Sequence, residues 1–206
     1  MVLTGLKILI IGSSHLAAPG NLITTLHDNL LQGGAVQVHT IGVCGSTPSM
    51  WVQPTRGTCG SAERINNGPI KVAFNTAAVT TPIDTLINKE HPDLLIIVMG
   101  DTLAGYTQPE FPQAWSTIEI NQLMTAVRKS STRCVWVGPT WGGEGTSHKN
   151  NFRVQQVSSF LSTHVKPCSY INSLNMAKLG EWKTIDGVHL TEKGYKFWAD
   201  AILKEM

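Results

Sequence analysis

Two stretches restrict what this chain can fold into more than anything else in it. LKILIIG (6–12) and LLIIVMG (94–100) are almost uninterrupted aliphatic runs, each stopped by a glycine. Runs of strand length without polar alternation mark strands buried on both faces, and such strands belong to parallel sheets with helices packed on either side.

The segments between them fit that architecture. Leu22, Ile23, Leu26, Leu30 and Leu31 recur at helical spacing, and Gly33 and Gly34 stop the helix. VQVHTIGV (36–43) alternates, as a strand nearer a sheet edge does. Residues 46–80 hold Pro48, Pro54, Gly57, Gly60, Gly68 and Pro69 and read as a long irregular excursion with room for one short helix or strand. PIDTLINKEHPD is a helix between Pro82 and Pro92. AWSTIEINQLMTAVRKSS (114–131) is amphipathic through Ile118, Leu123, Met124 and Val127. CVWVGPTW (134–141) is a strand entering a Gly-rich loop, NFRVQQVSSFLSTHV a helix, SYINSL a short strand, and TEKGYKFWADAILKEM a closing helix capped by Thr191.

Strand and helix thus alternate about five times without an internal repeat. The prediction is one domain over 1–206, a three-layer α/β/α sandwich around a mostly parallel, five-stranded, flavodoxin-like sheet. Ligands of such sheets sit at the carboxyl ends of the strands.

Composition narrows the partners. Charged residues make up 15% of the chain, against about a quarter in ordinary soluble proteins. The formal charge is +2 with scattered Lys and Arg, too little for a phosphate-tracking stripe, so neither nucleic acid nor an anionic membrane is an expected partner. No apolar run approaches the roughly 18 residues of a spanning helix. MVLTGLKILIIG lacks a basic region and a small-residue cleavage site, so an export signal is expected to be already removed or never present. Cys44, Cys59, Cys134 and Cys168 contain no C-x-x-C pair, which speaks against a zinc site. Cys134 and Cys168 open strands that become neighbours in the expected sheet, and Cys44 and Cys59 would close a short loop. Two bridges imply an oxidising compartment, periplasmic or secreted; four buried thiols in a cytoplasmic protein is the alternative.

The expected strand-end loops are GSSH, GVCGSTP, GDTLAGY, GPTWGGEGTSH and, before the last helix, DGVH. Each is punctuated by glycine, which lets backbone amides approach a developing negative charge. Ser14 falls at the turn into the first helix, where exposed amides favour an oxyanion. His189 could take its proton, and Asp186, three residues earlier, could orient the ring. His15 reads as a packing or surface residue, Asp101 as a buried loop acceptor, and His148 as a candidate substrate contact. Trp51 and Trp141 are candidates for stacking on a sugar ring, whereas Trp115, Trp136 and Trp198 read as core or face residues.

IIGSSHLA, GVCGS, DLLIIVMGDT and DGVHLTEKGYKFWADAI resemble, in order and spacing over almost the whole chain, the four blocks of the SGNH hydrolases, also called GDSL-type esterases. The resemblance implies a nucleophilic Ser14, a supporting Asp186 and His189, and an oxyanion hole from the Ser14 and Gly45 amides. Ser13 stands where the family usually has Asp. Thr102 stands at the place of the family's oxyanion Asn; its hydroxyl is a shorter donor, and losing a well-placed donor slows such reactions on the order of a hundredfold or more. The function implied is a serine-dependent carboxylic ester hydrolase acting on O-acetyl groups of a carbohydrate through an acyl-enzyme. It would work as a monomer without metal or organic cofactor. The rival readings are an O-acetyltransferase with the same triad and an inactive carbohydrate-binding protein of the same fold.

Overall fold

The computed structural model describes residues 2–143 and 149–206, so His148 lies outside the described residues. Its strands are β1 Lys7–Gly12, β2 Gln37–Val43, β3 Ser61–Ile65, β4 Lys71–Ala73, β5 Leu94–Val98, β6 Arg133–Val137 and β7 Ser169–Ile171. They form one sheet in the order β4-β3-β2-β1-β5-β6-β7. β2, β1, β5, β6 and β7 run parallel, and β3 and β4 are antiparallel additions on the β2 edge.

The sheet therefore has seven strands rather than the expected five. The two extra strands come from the excursion at 46–80, whose SAERI and KVA segments are short, are broken by Ser61, Glu63, Arg64 and Lys71, and give no aliphatic run. Pairing is what makes them strands: β3 satisfies the outward backbone groups of β2, which would otherwise form an open edge.

The helices are α1 Leu22–Gln32, α2 Ile83–Glu90, α3 Asp101–Ala104, α4 Gln113–Val127, α5 Asn151–His164 and α6 Glu192–Glu205. Successive β1 side chains enter opposite layers. Leu9 and Ile11 join Ile87, Leu123, Met124 and Leu161 of α2, α4 and α5, while Ile8 and Ile10 join Leu26, Leu30, Trp198 and Ile202 of α1 and α6. This is why the strand's sequence shows no polar alternation. Thr191 caps α6 by accepting the Gly194 amide at 3.2 Å. α4 stops at Val127, short of the expected 131, where the Ser130 hydroxyl donates to the Val127 carbonyl at 3.0 Å and competes with helix continuation.

Both disulfides are formed. Cys134 and Cys168 join neighbouring parallel strands with their Cα atoms 4.6 Å apart. Cys44 and Cys59, 5.3 Å apart, tie the loop after β2 to the segment entering β3. Among the described residues no helix is long and apolar enough to cross a membrane.

Candidate active site

Ser14 opens a single 3-10 turn, Ser14–Leu16, directly after β1. The turn lies hard against β2: a Cβ on Gly42 would come within 2.3 Å of the Leu16 carbonyl carbon, so only glycine lets the chain pass there. The Asn21 side-chain amide donates to the Ser14 carbonyl at 2.9 Å and fixes the turn from the α1 side.

Asp186 and His189 sit on a tight turn between Thr184 and Leu190, which pair as an antiparallel bridge. The Ile185 amide donates to the His189 carbonyl at 2.8 Å, and the Gly143 amide reaches across to the Gly187 carbonyl at 2.8 Å. One Asp186 oxygen, Oδ1, accepts the amides of Val188 (2.9 Å) and His189 (2.7 Å). That leaves Oδ2 for the ring, 2.6 Å from His189 Nδ1. The other ring nitrogen, Nε2, is 2.8 Å from Ser14 Oγ.

Burial alone would raise the Asp186 carboxyl, but the hydrogen bonds from the His189 ring and from the two amides outweigh it and hold it below the usual carboxylate range. An ionised carboxylate only accepts, so Nδ1 carries the ring proton and the Nε2 lone pair faces the Ser14 hydroxyl. Hydroxyl, imidazole and carboxylate form one hydrogen-bonded line, an arrangement suited to nucleophilic acyl chemistry.

Gly45 lies in the turn after β2 at φ +76°, beside the Cys44–Cys59 bridge. Among the described residues, the Ser14 and Gly45 amides donate to no backbone carbonyl outside helices and strands. Thr102, expected to offer its hydroxyl to an oxyanion, instead donates it to the Ser46 carbonyl at 3.1 Å.

Behind the line lies a buried polar cluster that the sequence does not announce. His15, read there as a packing or surface residue, is 1% exposed. Its Nε2 is 3.0 Å from Asp101 Oδ2, its Nδ1 is 2.9 Å from the Tyr195 hydroxyl, and its ring centroid is 5.5 Å from that of His189. Asp101 also forms an ion pair with Lys149, which is buried as completely. For His15, desolvation outweighs the pull of Asp101 and lowers its pKa, which keeps the ring neutral. Burial alone would raise the Asp101 carboxyl, yet Lys149 and His15 together hold it far below its ordinary value. Asp101 sits in the quoted GDTLAGY loop, but nothing local links it to Lys149, 48 positions later; the only hint was charge spent sparingly next to glycine loops. Ser13, also buried, finds no partner for its hydroxyl among the described residues.

The tryptophan expectations change. Trp51 is 0% exposed and donates its indole N–H to Ser46 Oγ at 3.2 Å, so no ring face is free for a sugar. Trp141 is half-buried, donates to the Leu174 and Ala177 carbonyls at 3.0 Å, and lines a hollow with Ser158 and Asn172 that does not include Ser14. Ser14 and His189 instead open onto a trough of about 540 Å³ lined by Ala17, Pro19, Val72, Phe74 and Ile185 and by the Cys44–Cys59 bridge. Among the described residues no group of three or more His, Cys, Asp or Glu side chains is placed to hold a metal ion.

No protein-family model matches the chain. Protein BcsX of Komagataeibacter xylinus is 40% identical over 205 residues, covering 98% of this chain and 77% of that one. Among solved structures, an acetyl xylan esterase superposes with a TM-score of 0.62 at 14% identity, over 98% of this chain and all of the other. A GDSL-like lipase from Bacteroides thetaiotaomicron gives 0.57 at 12% identity, over 97% and 86%. The hydrogen-bonded line of Ser14, His189 and Asp186 lies at the carboxyl edge of this sheet, a BcsX relative matches along nearly the full chain and esterase folds superpose on it: the chain belongs to the BcsX family and has the fold of the SGNH, or GDSL-type, hydrolases.

Proposed function

We propose that the protein is a serine-dependent carboxylic ester hydrolase that removes O-acetyl groups from a carbohydrate. The observation that carries this reading is the unbroken line from Ser14 Oγ through His189 to Asp186, at 2.8 and 2.6 Å. Ser14 Oγ attacks the ester carbonyl carbon while its proton passes to His189 Nε2. The Asp186 carboxylate holds the ring in the productive tautomer and stabilises the imidazolium. The tetrahedral oxyanion is held by the amides of Ser14 and Gly45. The Thr102 hydroxyl acts one step back by holding the Ser46 carbonyl and with it the Gly45 turn, and becomes a direct donor only by leaving that carbonyl. Collapse breaks the bond to the sugar oxygen, which takes the proton from Nε2 and departs as a hydroxyl, leaving an acetyl-Ser14. Water then attacks the acyl carbon, gives its proton to His189, and acetate departs with Ser14 regenerated.

The acetyl specificity is supported by the acetyl xylan esterase among the structural neighbours, and the two disulfides support work in an oxidising, extracytoplasmic compartment. The test is turnover of p-nitrophenyl acetate together with labelling by a serine-directed phosphonate, located by peptide mass spectrometry. Turnover with the label on Ser14 is expected. Absence of both would leave a carbohydrate-binding protein as the better reading. Acetate release against acetylated acceptor, measured with an oligosaccharide present, separates hydrolysis from transfer.

A further inference from the structure

We propose that Phe74, directly after β4, is the platform on which a neutral sugar ring stacks while its ester reaches Ser14; this rests on the hydrolase reading above. Phe74 is 63% exposed, and of the exposed aromatics Phe74, Trp115, Phe152 and Phe197 it is the one that lines the same trough as Ser14 and His189. A Cβ on Gly60 would lie 3.2 Å from the Phe74 ring and 3.2 Å from the Ala73 carbonyl, and Gly60 has φ +135°. A side chain at Gly60 would crowd that ring, so glycine there leaves Phe74 its place on the rim of the trough.

The lining defines the ligand's chemistry. Among the described residues no Lys, Arg, Asp or Glu lines the trough, so these offer a charged sugar or a phosphate no counter-charge. Its polar side chains are Ser14, His189 and Asn21, and the Asn21 amide is already committed to the Ser14 carbonyl. What remains is apolar: Phe74, Val72 and Ile185, all exposed, with Ala17, Ala18 and Pro19. A pyranose has that complement, a C–H face for the aromatic ring and hydroxyls at its edge for water. The trough of about 540 Å³ is far larger than an acetyl group needs, so most of it faces the part of the substrate beyond the ester. A long acyl chain fits less well, because Phe74 and Ile185, at 63% and 73% exposure, leave the rim open and would leave its methylenes in water.

The test compares Phe74→Ala and Phe74→Trp with the parent enzyme on p-nitrophenyl acetate and on an acetylated neutral xylo-oligosaccharide. Loss of the platform is expected to raise KM for the oligosaccharide about threefold to tenfold, the range of one aromatic contact. KM for p-nitrophenyl acetate, which carries no sugar, is expected to change less than that for the oligosaccharide, and Phe74→Trp to restore binding. An equal loss on both substrates would overturn the proposal in favour of a structural role for Phe74. So would a preference for p-nitrophenyl octanoate over acetate that Phe74→Ala abolishes, since the trough would then hold acyl chains. Calorimetric titration of Ser14→Ala protein with the unacetylated oligosaccharide separates this inference from the one it rests on. Binding lost in the Ser14→Ala/Phe74→Ala pair supports the platform even if no ester is hydrolysed, and no binding in an enzyme that turns over p-nitrophenyl acetate overturns the platform alone.

Discussion

Ser14 Oγ and His189 Nε2 lie 2.8 Å apart although 175 residues of chain separate them. The first strand's exit and the last helix's entry meet at one edge of the sheet, so this contact depends on the whole parallel core between them. On the proposed hydrolase reading it is also where activity would be most easily destroyed.

Ser14→Ala and His189→Ala are each expected to lower kcat for p-nitrophenyl acetate by about 10⁴-fold or more, and the double variant by little beyond either, because the two act as one unit. Asp186→Asn is expected to lose less than either, since its side chain is 43% exposed and water can take over part of its role. Circular dichroism matching the parent would locate each loss in the chemistry.

Thr102→Val removes the donor to the Ser46 carbonyl without changing side-chain volume much. If the amides of Ser14 and Gly45 carry the oxyanion, kcat is expected to fall by less than about tenfold. A fall of about a hundredfold or more would instead mark the hydroxyl as a direct donor in the transition state.

Lys149→Met leaves the Asp101 carboxylate buried beside a neutral imidazole. Removing one member of a buried pair typically destabilises by about 3–5 kcal/mol, so a large drop in the urea midpoint is expected. Asp101→Asn combined with Lys149→Met is expected to recover part of it, as no charge is then stranded. The pH dependence has a definite sign. Asp101 is held well below its unfolded value, so its contribution is present above about pH 4 and is lost only as pH falls toward the folded-state pKa. Asp101→Asn should therefore flatten the acid limb of the stability curve.

His39 is the opposite case. Burial alone would lower its pKa, but Glu90 at 2.7 Å and Glu63 at 2.8 Å outweigh burial and raise it. A raised pKa means stability that is complete below the unfolded value of about 6.5 and is lost as pH rises through the folded value. Thermal melts of the parent between neutral and alkaline pH are expected to show this loss, and His39→Gln is expected to remove it.

What the residues disclosed and what they hid follow from the range of the forces involved. The five parallel strands were readable because burial on both faces writes itself as aliphatic runs, as in 6–12 and 94–100. The Ser14, Asp186 and His189 positions were readable because each stands at a glycine-marked strand end or helix entry. β3 and β4 were not, since they are strands by virtue of a partner edge and not of their own composition. The same holds for Asp101 with Lys149, whose pairing is made by packing alone. Trp51 was misplaced for a related reason: an aromatic in an irregular loop looks exposed until the turn Pro48–Trp51 folds it onto α4. Nothing local in the sequence marks Phe74, because what distinguishes it is its place on the trough and its approach to Gly60, a contact between loops.

The Cys44–Cys59 bridge sits one residue from the Gly45 amide and one from Gly60, the glycine that Phe74 approaches. A single covalent staple thereby registers the two walls of the cleft against each other, the one that would polarise the ester and the one that would hold the sugar. With those two thiols reduced, only non-covalent contacts would keep the walls aligned, which ties the order of the cleft to the redox state of one cysteine pair.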